Sequence, residues 1–372
     1  MIERSSALYS EYVIDGVQMS VTPARMLEEC GCDMGDTAPE GQIVDETVDV
    51  APAVSEYDSK LIDKYLSMTK NVARRTVPVP FASSYTCGRV ANALIEAIWM
   101  NGHFALEDLS LRGEWRWNEK PIGNMAALYS SVEAASEYID ALGVQLTGCN
   151  YTGARECTLS FRAGLSDAPD MQDDDLAEDQ DEQLRLGRKR LCPAQVSAVP
   201  TDWLIFIPFD PCDFRLGGSA LSEAVGAGSS VAPEIFDADY FMDCYEVVRE
   251  LIEDGIVISG VTVGDGGLIT ALDRMVTPET GAAISIADLR KAYSDEYPVR
   301  ILFGEVPGVI ISISDYDYDY VDAELLLQDV AFFPLGHPAP GQKGISVDTG
   351  SKTGVARILA SLIQGQTSEG ED

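Results

Sequence analysis

From residue 59 to residue 70 the apolar side chains Leu61, Ile62, Tyr65 and Leu66 return at the spacing of one helix face, and residues 88–101 repeat the period with Val90, Ala93, Leu94, Ala97 and Ile98. Two helices are expected there. A third is expected over residues 124–142, where Gly143 supplies a C-terminal stop. Short apolar runs predict strands at residues 109–111, 144–146, 158–161, 195–199 and 203–208. Farther on the pattern predicts a helix near 240–254, a strand at 256–259, a turn at GDGG and a helix at 268–275. Helices alternate with strands, which points to a mixed α/β architecture.

The polar stretches divide this pattern. Residues 1–58 open with an apolar segment (8–17) and continue as the acidic GDTAPEGQIVDETVDVAPAVSEYD, which has little helical period and reads as an arm or linker. The block MQDDDLAEDQDEQLRLGRKR, ending in Arg188, Lys189 and Arg190, reads as an exposed loop whose basic end is neutralised by the acids before it. The expected organisation is an arm (1–58), a first domain (59–168), the acidic loop (169–190), a second domain (191–340), and an extension with a polar tail (341–372).

An apolar content of 46% in 372 residues can fill one large core or two moderate ones. Against 26 Lys and Arg stand 61 Asp and Glu, a formal charge of −35 that repels nucleic acid. Such an excess suits a cation-rich setting or a surface that meets a basic partner. Without an apolar run of membrane-spanning length or a basic leader at residue 1, the expectation is a cytoplasmic, intracellular protein with no membrane contact.

Eight cysteines, mostly scattered singly, read as reduced thiols, and the close pair Cys30 and Cys32 lacks a second pair to complete a metal site. His103 and His337 fall in no catalytic or metal-binding spacing. Asp315, Asp317 and Asp319 would share one face of a strand and invite a cation; a solvated edge or the start of a helix is the preferred reading.

Three segments carry a resemblance. They are Arg215-Leu216-Gly217-Gly218-Ser219-Ala220-Leu221, LIEDGIVISGVTVGDGGLITALDRM (251–275) and LFGEVPGVIISI (302–313). Upstream stand TCGRVANALIEAIW, LSLRGEWRW and LYSSVEAASEYIDALGVQLTGCNYTGARECTLSF. In this order they resemble the aminoimidazole ribonucleotide synthetase superfamily, and more narrowly the second synthetase half of large-type phosphoribosylformylglycinamidine synthase, over about residues 61 to 362. The resemblance implies an α+β, two-domain aminoimidazole ribonucleotide synthetase-like fold. Its N-terminal part would be a ferredoxin-like sheet-and-helix domain, shortened here, and its C-terminal part an α/β domain. It also implies ATP-dependent chemistry, in which a substrate carbonyl oxygen is phosphorylated and then displaced by ammonia, with magnesium neutralising the phosphates.

On that resemblance Gly217, Gly218, Ser219, Asp265, Gly266, Gly267 and Glu305 would line a site for ATP or ADP with magnesium, Asp265 being the metal ligand. Each has a plainer reading: the Gly pairs as tight turns where backbone meets backbone, Asp265 as a turn residue.

Several family positions are changed. Gly88 is kept, but Arg89 stands where the family has Glu and Ala93 where it has Asn. Gly153-Ala154-Arg155-Glu156 replaces Gly-Lys-Asp-Ser, Val261-Thr262 replaces His-Asp, and the segment NVARRTVPVPFASS is short against the family's first glycine-rich strand. No catalytic residue is singled out. The expectation is a catalytically inactive binding or assembly protein, a pseudoenzyme of an ATP-dependent C–N ligase family, which forms a homodimer or joins an intact synthetase-like chain. Two alternatives stand beside it: an active subunit that completes its site with a partner chain, and a structural component of a large assembly.

Overall fold

The computed structural model describes residues 7–14, 16–32, 62–70, 76–100, 104–121, 123–165, 190–226, 231–295 and 297–350. Near the start, strands β1 (Val13–Ile14) and β2 (Val17–Gln18) form a small hairpin, followed by helix α1 (Pro23–Glu29) with proline at its first position, where the missing N–H costs no bond. Residues 7–32, read from the sequence as part of an arm, bury Leu8, Ala24 and Leu27. Cys32 is disulfide-bonded to Cys149, with Cα atoms 6.1 Å apart. This corrects the expectation of reduced thiols throughout: two cysteines 117 residues apart are invisible to spacing arguments. The other six, Cys30, Cys87, Cys157, Cys192, Cys212 and Cys244, are free.

Helix α2 (Ile62–Lys70) and helix α3 (Ala82–Ile98) lead into strand β3 (Leu109–Trp117), in which buried Leu109, Leu111, Trp115 and Trp117 alternate with exposed Arg112 and Arg116. Helix α4 (Asn124–Ala141) ends at Gly143, whose φ is +67°, and carries the chain to strand β4 (Gln145–Gly153), parallel to β3. Strand β5 (Thr158–Leu165) lies antiparallel on the other side of β3, so the sheet order is β4-β3-β5. All three strands outrun the apolar runs that announced them, because alternation with polar residues continues the pleat.

The second sheet begins with β6 (Trp203–Pro208). Helices α5 (Ala220–Val225) and α6 (Ala238–Glu253), strand β7 (Val257–Val263), helix α7 (Gly267–Met275) and strand β8 (Thr280–Ser285) follow. Helices α8 (Ala287–Ala292) and α9 (Pro298–Phe303), strand β9 (Gly308–Ile313), helix α10 (Tyr318–Leu327) and strands β10 (Phe333–Pro340) and β11 (Ile345–Asp348) complete it. The sheet order is β11-β8-β10-β6-β9-β7, and only the β11–β8 pair is parallel.

Two expectations change here, and a third keeps its preferred reading. Residues 195–199 form bends rather than a strand, with Val196 N–H bonded to Met275 O at 2.9 Å. Leu302 and Phe303 finish α9, so LFGEVPGVIISI is a helix end, a loop and then a strand. Asp315–Asp317 is a single 3-10 turn leading into α10, the helix-start reading of the alternating Asp and Tyr.

The two sheets share one buried cluster, and Trp99 at the end of α3 is its hinge pin. Its indole N–H donates to Thr262 Oγ1 at 2.9 Å, and its ring lies against Gly260, where a Cβ would collide with it. The Arg190 guanidinium stands 5.2 Å from the same ring and donates to the carbonyls of Gly260 and Cys192. Arg190 therefore holds backbone together, while the acids before it lie outside the described residues. No helix among the described residues is long and apolar enough to cross a membrane.

Trp99→Ala is expected to cost about 3–5 kcal/mol in urea unfolding, since it empties a large buried volume and orphans the Thr262 hydroxyl. Thiol titration in denaturant should count six groups without reductant and eight after reduction, matching six free cysteines of the eight in the chain.

Candidate functional site

Where the start of α5, the start of α7 and the outward face of α3 converge, an open, shallow cleft is lined by Tyr85, Gly88, Arg89, Asn92, Gly217, Gly218, Ser219, Asp265 and Glu305, among others. Of the residues read as a nucleotide site, Gly217, Gly218, Ser219, Asp265 and Glu305 line this cleft, whereas Gly266 and Gly267, next to Asp265 in the chain, are not in its lining.

Backbone packing explains the glycines. Gly217 N–H donates to Val231 O at 2.7 Å, and a Cβ on Gly217 would collide with that carbonyl. Gly267, at φ +69°, would place a Cβ 2.7 Å from the Phe303 carbonyl carbon. Ser219 is buried and caps α5, its hydroxyl accepting from Ser222 N–H at 3.2 Å.

Glu305 ties these loops together. Its Oε1 accepts from Ala220 N–H at 2.8 Å and from Gly266 N–H at 2.7 Å, so one carboxylate meets the first turns of α5 and α7. That is the position in which helix starts commonly hold a ligand's anion; here the chain supplies its own.

Asp265 is also engaged. Arg89 Nη2 lies 2.9 Å from Asp265 Oδ2 and donates to the Tyr85 hydroxyl at 2.6 Å, while its guanidinium sits 4.7 Å from the Tyr85 ring centre. Among the described residues no group of three or more His, Cys, Asp or Glu is placed to hold a metal. This donor set does not suit magnesium: one carboxylate faces a guanidinium and the other accepts two backbone N–H groups.

A second, roomier cleft of about 460 Å³ adjoins the first and shares Arg89, Asn92 and Asp265 with it. Asn92 is not among the residues the sequence singled out. Its Oδ1 is buried without a hydrogen-bond partner among the described residues. Only its place one residue before Ala93, the altered family position, could have drawn notice. Behind the cleft on α3, burial, with the Asp210 carboxylate adding to it, pushes the Cys87 thiol up to about 12, which rules it out as a nucleophile at neutral pH.

No family model matches the chain. Human phosphoribosylformylglycinamidine synthase is 25% identical over 243 residues, 62% of this chain and 17% of that protein. The probable chloroplastic/mitochondrial phosphoribosylformylglycinamidine synthase of Arabidopsis thaliana is 26% identical over 259 residues, 67% of this chain and 17% of that protein. The chain is a divergent relative of phosphoribosylformylglycinamidine synthase. It spans only 17% of the length of these curated relatives. Thermotoga maritima PurL complexed with FGAR has a similar fold, with a TM-score of 0.52 and 12% identity over 74% of this chain and 42% of that one. The T. maritima PurLQS structure gives 0.50 and 13%, over 80% and 48%. The fold is the aminoimidazole ribonucleotide synthetase-like one.

In this synthase relative the altered positions have found other work. Val261 and Thr262, standing where the family has His-Asp, are buried; Thr262 Oγ1 holds Trp99, and its carbonyl accepts from Arg274. Arg155 and Glu156 are exposed in the β4–β5 turn, where Arg155 O accepts from Asn118 Nδ2 at 2.7 Å, and neither lines a cleft described above. His337 lies apart from both clefts, its Nδ1 3.0 Å from Asp202 O and its ring against Trp203. His103, Arg188 and Lys189 lie outside the described residues.

Glu305→Ala should lower stability by about 2–4 kcal/mol in urea unfolding, because two helix-start N–H groups lose a charged acceptor at once. Arg89→Ala should change it by no more than about 1 kcal/mol, since its pair with Asp265 is partly exposed, with side chains 23% and 44% accessible.

Proposed function

We propose that this chain is a non-catalytic counterpart of the second synthetase half of phosphoribosylformylglycinamidine synthase, retained for binding or assembly. The Arg89–Asp265 ion pair carries the reading. Phosphoryl transfer depends on cations that bridge and neutralise the phosphates as charge develops, and carboxylates must be free to hold them. Here the surviving Asp265 faces a fixed guanidinium, and Glu305 already accepts two backbone N–H groups. A nucleotide entering this cleft would meet Arg89 and Arg215 rather than a metal, so any binding would be independent of magnesium.

On the same reading the chain works as a homodimer or beside an intact synthetase-like chain. One observation supports this: PurLQS is a structure of similar fold.

Calorimetric titration with ATP and ADP, with and without magnesium, checks the proposal. The expected result is no phosphate release and no strengthening of binding by magnesium. Turnover, or binding that requires magnesium, would overthrow it, while magnesium-independent binding without turnover would make the chain a nucleotide-stabilised scaffold. Arg89→Glu, which restores the family's residue type and removes the guanidinium from Asp265, should gain magnesium-dependent ADP binding by at least about tenfold over the parent chain.

A further inference from the structure

Exposed large apolar side chains occur in ones and twos over most of the described surface, but four gather on α10 and the turn before it. Tyr316 is 93% accessible, Leu327 78%, Leu326 65% and Tyr320 46%. They are not the inner face of the helix turned outward. Val321 and Leu325 are fully buried beneath α10, and Tyr318 packs on Trp203 with ring centres 4.8 Å apart. The helix is apolar on two sides, and the fold uses one.

Tyr316, Tyr320, Ala323 and Leu327 recur at positions i, i+4, i+7 and i+11, which makes one stripe about 17 Å long with Leu326 at its margin. Carboxylates flank it on both sides: Asp319 and Asp322 on one, Asp317 and Glu324 on the other. From residue 314 to residue 330 there is no Lys, Arg or His. Beyond the helix, Glu250 and Asp254 add to the field, and Tyr320's phenol is raised above its ordinary value chiefly by Glu324. The nearby Arg249 is taken by Glu246 and Glu253.

An apolar stripe rimmed by polar groups marks an interaction site, since leaving two leucines in water stabilises nothing in the free chain. The rim selects the occupant. A second copy would bring like charges together, whereas lysine or arginine on the flanks of an apolar helix would meet carboxylates on both sides. We propose that the outer face of α10 docks an amphipathic helix of a partner protein, with an aliphatic stripe flanked by basic residues. This is independent of the nucleotide cleft and of whether the chain is catalytic.

The test is fluorescence anisotropy of the full chain with a labelled synthetic amphipathic helix of leucine and lysine. Leu326→Asp with Leu327→Asp should weaken binding by about tenfold or more, although it makes the chain more acidic. Equal or tighter binding by that variant would show general attraction to an acidic protein and overturn the proposal. Unchanged circular dichroism and thermal unfolding would confirm that only the surface was altered. Asp319→Asn with Asp322→Asn should weaken binding and reduce its salt dependence; no change in either would overturn the proposal, since the acidic rim is what selects the partner. In sedimentation velocity without peptide, an oligomer of the parent chain that the double Asp variant dissolves would assign the face to a second copy and overturn it also.

Discussion

The rest of the cleft depends on one carboxylate. Glu305 draws the first turns of α5 and α7 onto a single oxygen, and the loops leading into those helices close around it. Helix starts expose N–H groups that must be satisfied, and two such starts side by side would repel one another without a shared anion. Because the anion comes from the chain itself, two residues after the end of α9, the site can be complete in the absence of any ligand. Gly217 against Val231 and Gly267 against Phe303 are then consequences: the loops lie close enough that no side chain fits between them.

Around this centre, altered positions have acquired partners. Arg89 has Asp265 and Tyr85; Thr262 has Trp99 on its hydroxyl and Arg274 on its carbonyl. Buried polar groups in a folded protein are matched as a rule. Asn92 Oδ1 is the exception near the cleft. Elsewhere among the described residues the same condition holds for the Tyr138, Ser259 and Ser312 hydroxyls.

Periodicity made the long helices legible. Residues 124–142 were expected and Asn124–Ala141 is found, because a buried stripe of that length leaves little ambiguity. Weakly patterned strands were not legible. Strand β10 contains Pro334, Pro338 and Pro340 with Gly336 among them, and such a run reads as loop until tertiary neighbours accept it. The resemblance brought together the two glycine loops and Glu305. What it could not convey was the state of their atoms: the Arg89–Asp265 pair joins residues far apart in the chain, as does the Cys32–Cys149 bond, and only coordinates bring them together.

The packing of Trp99 bears on the strand beside it as well as on stability. Gly260 makes room for the indole ring and Thr262 anchors its N–H, so the strand that carries Val261 and Thr262 is a wall of the core. Placing His-Asp at those two positions alone would bury an imidazole where Val261 now fits and remove the hydroxyl that Trp99 uses. Packing of this kind ties the strand to the interior: a change at either residue would be felt first as a loosened core, whatever the cleft beyond it binds.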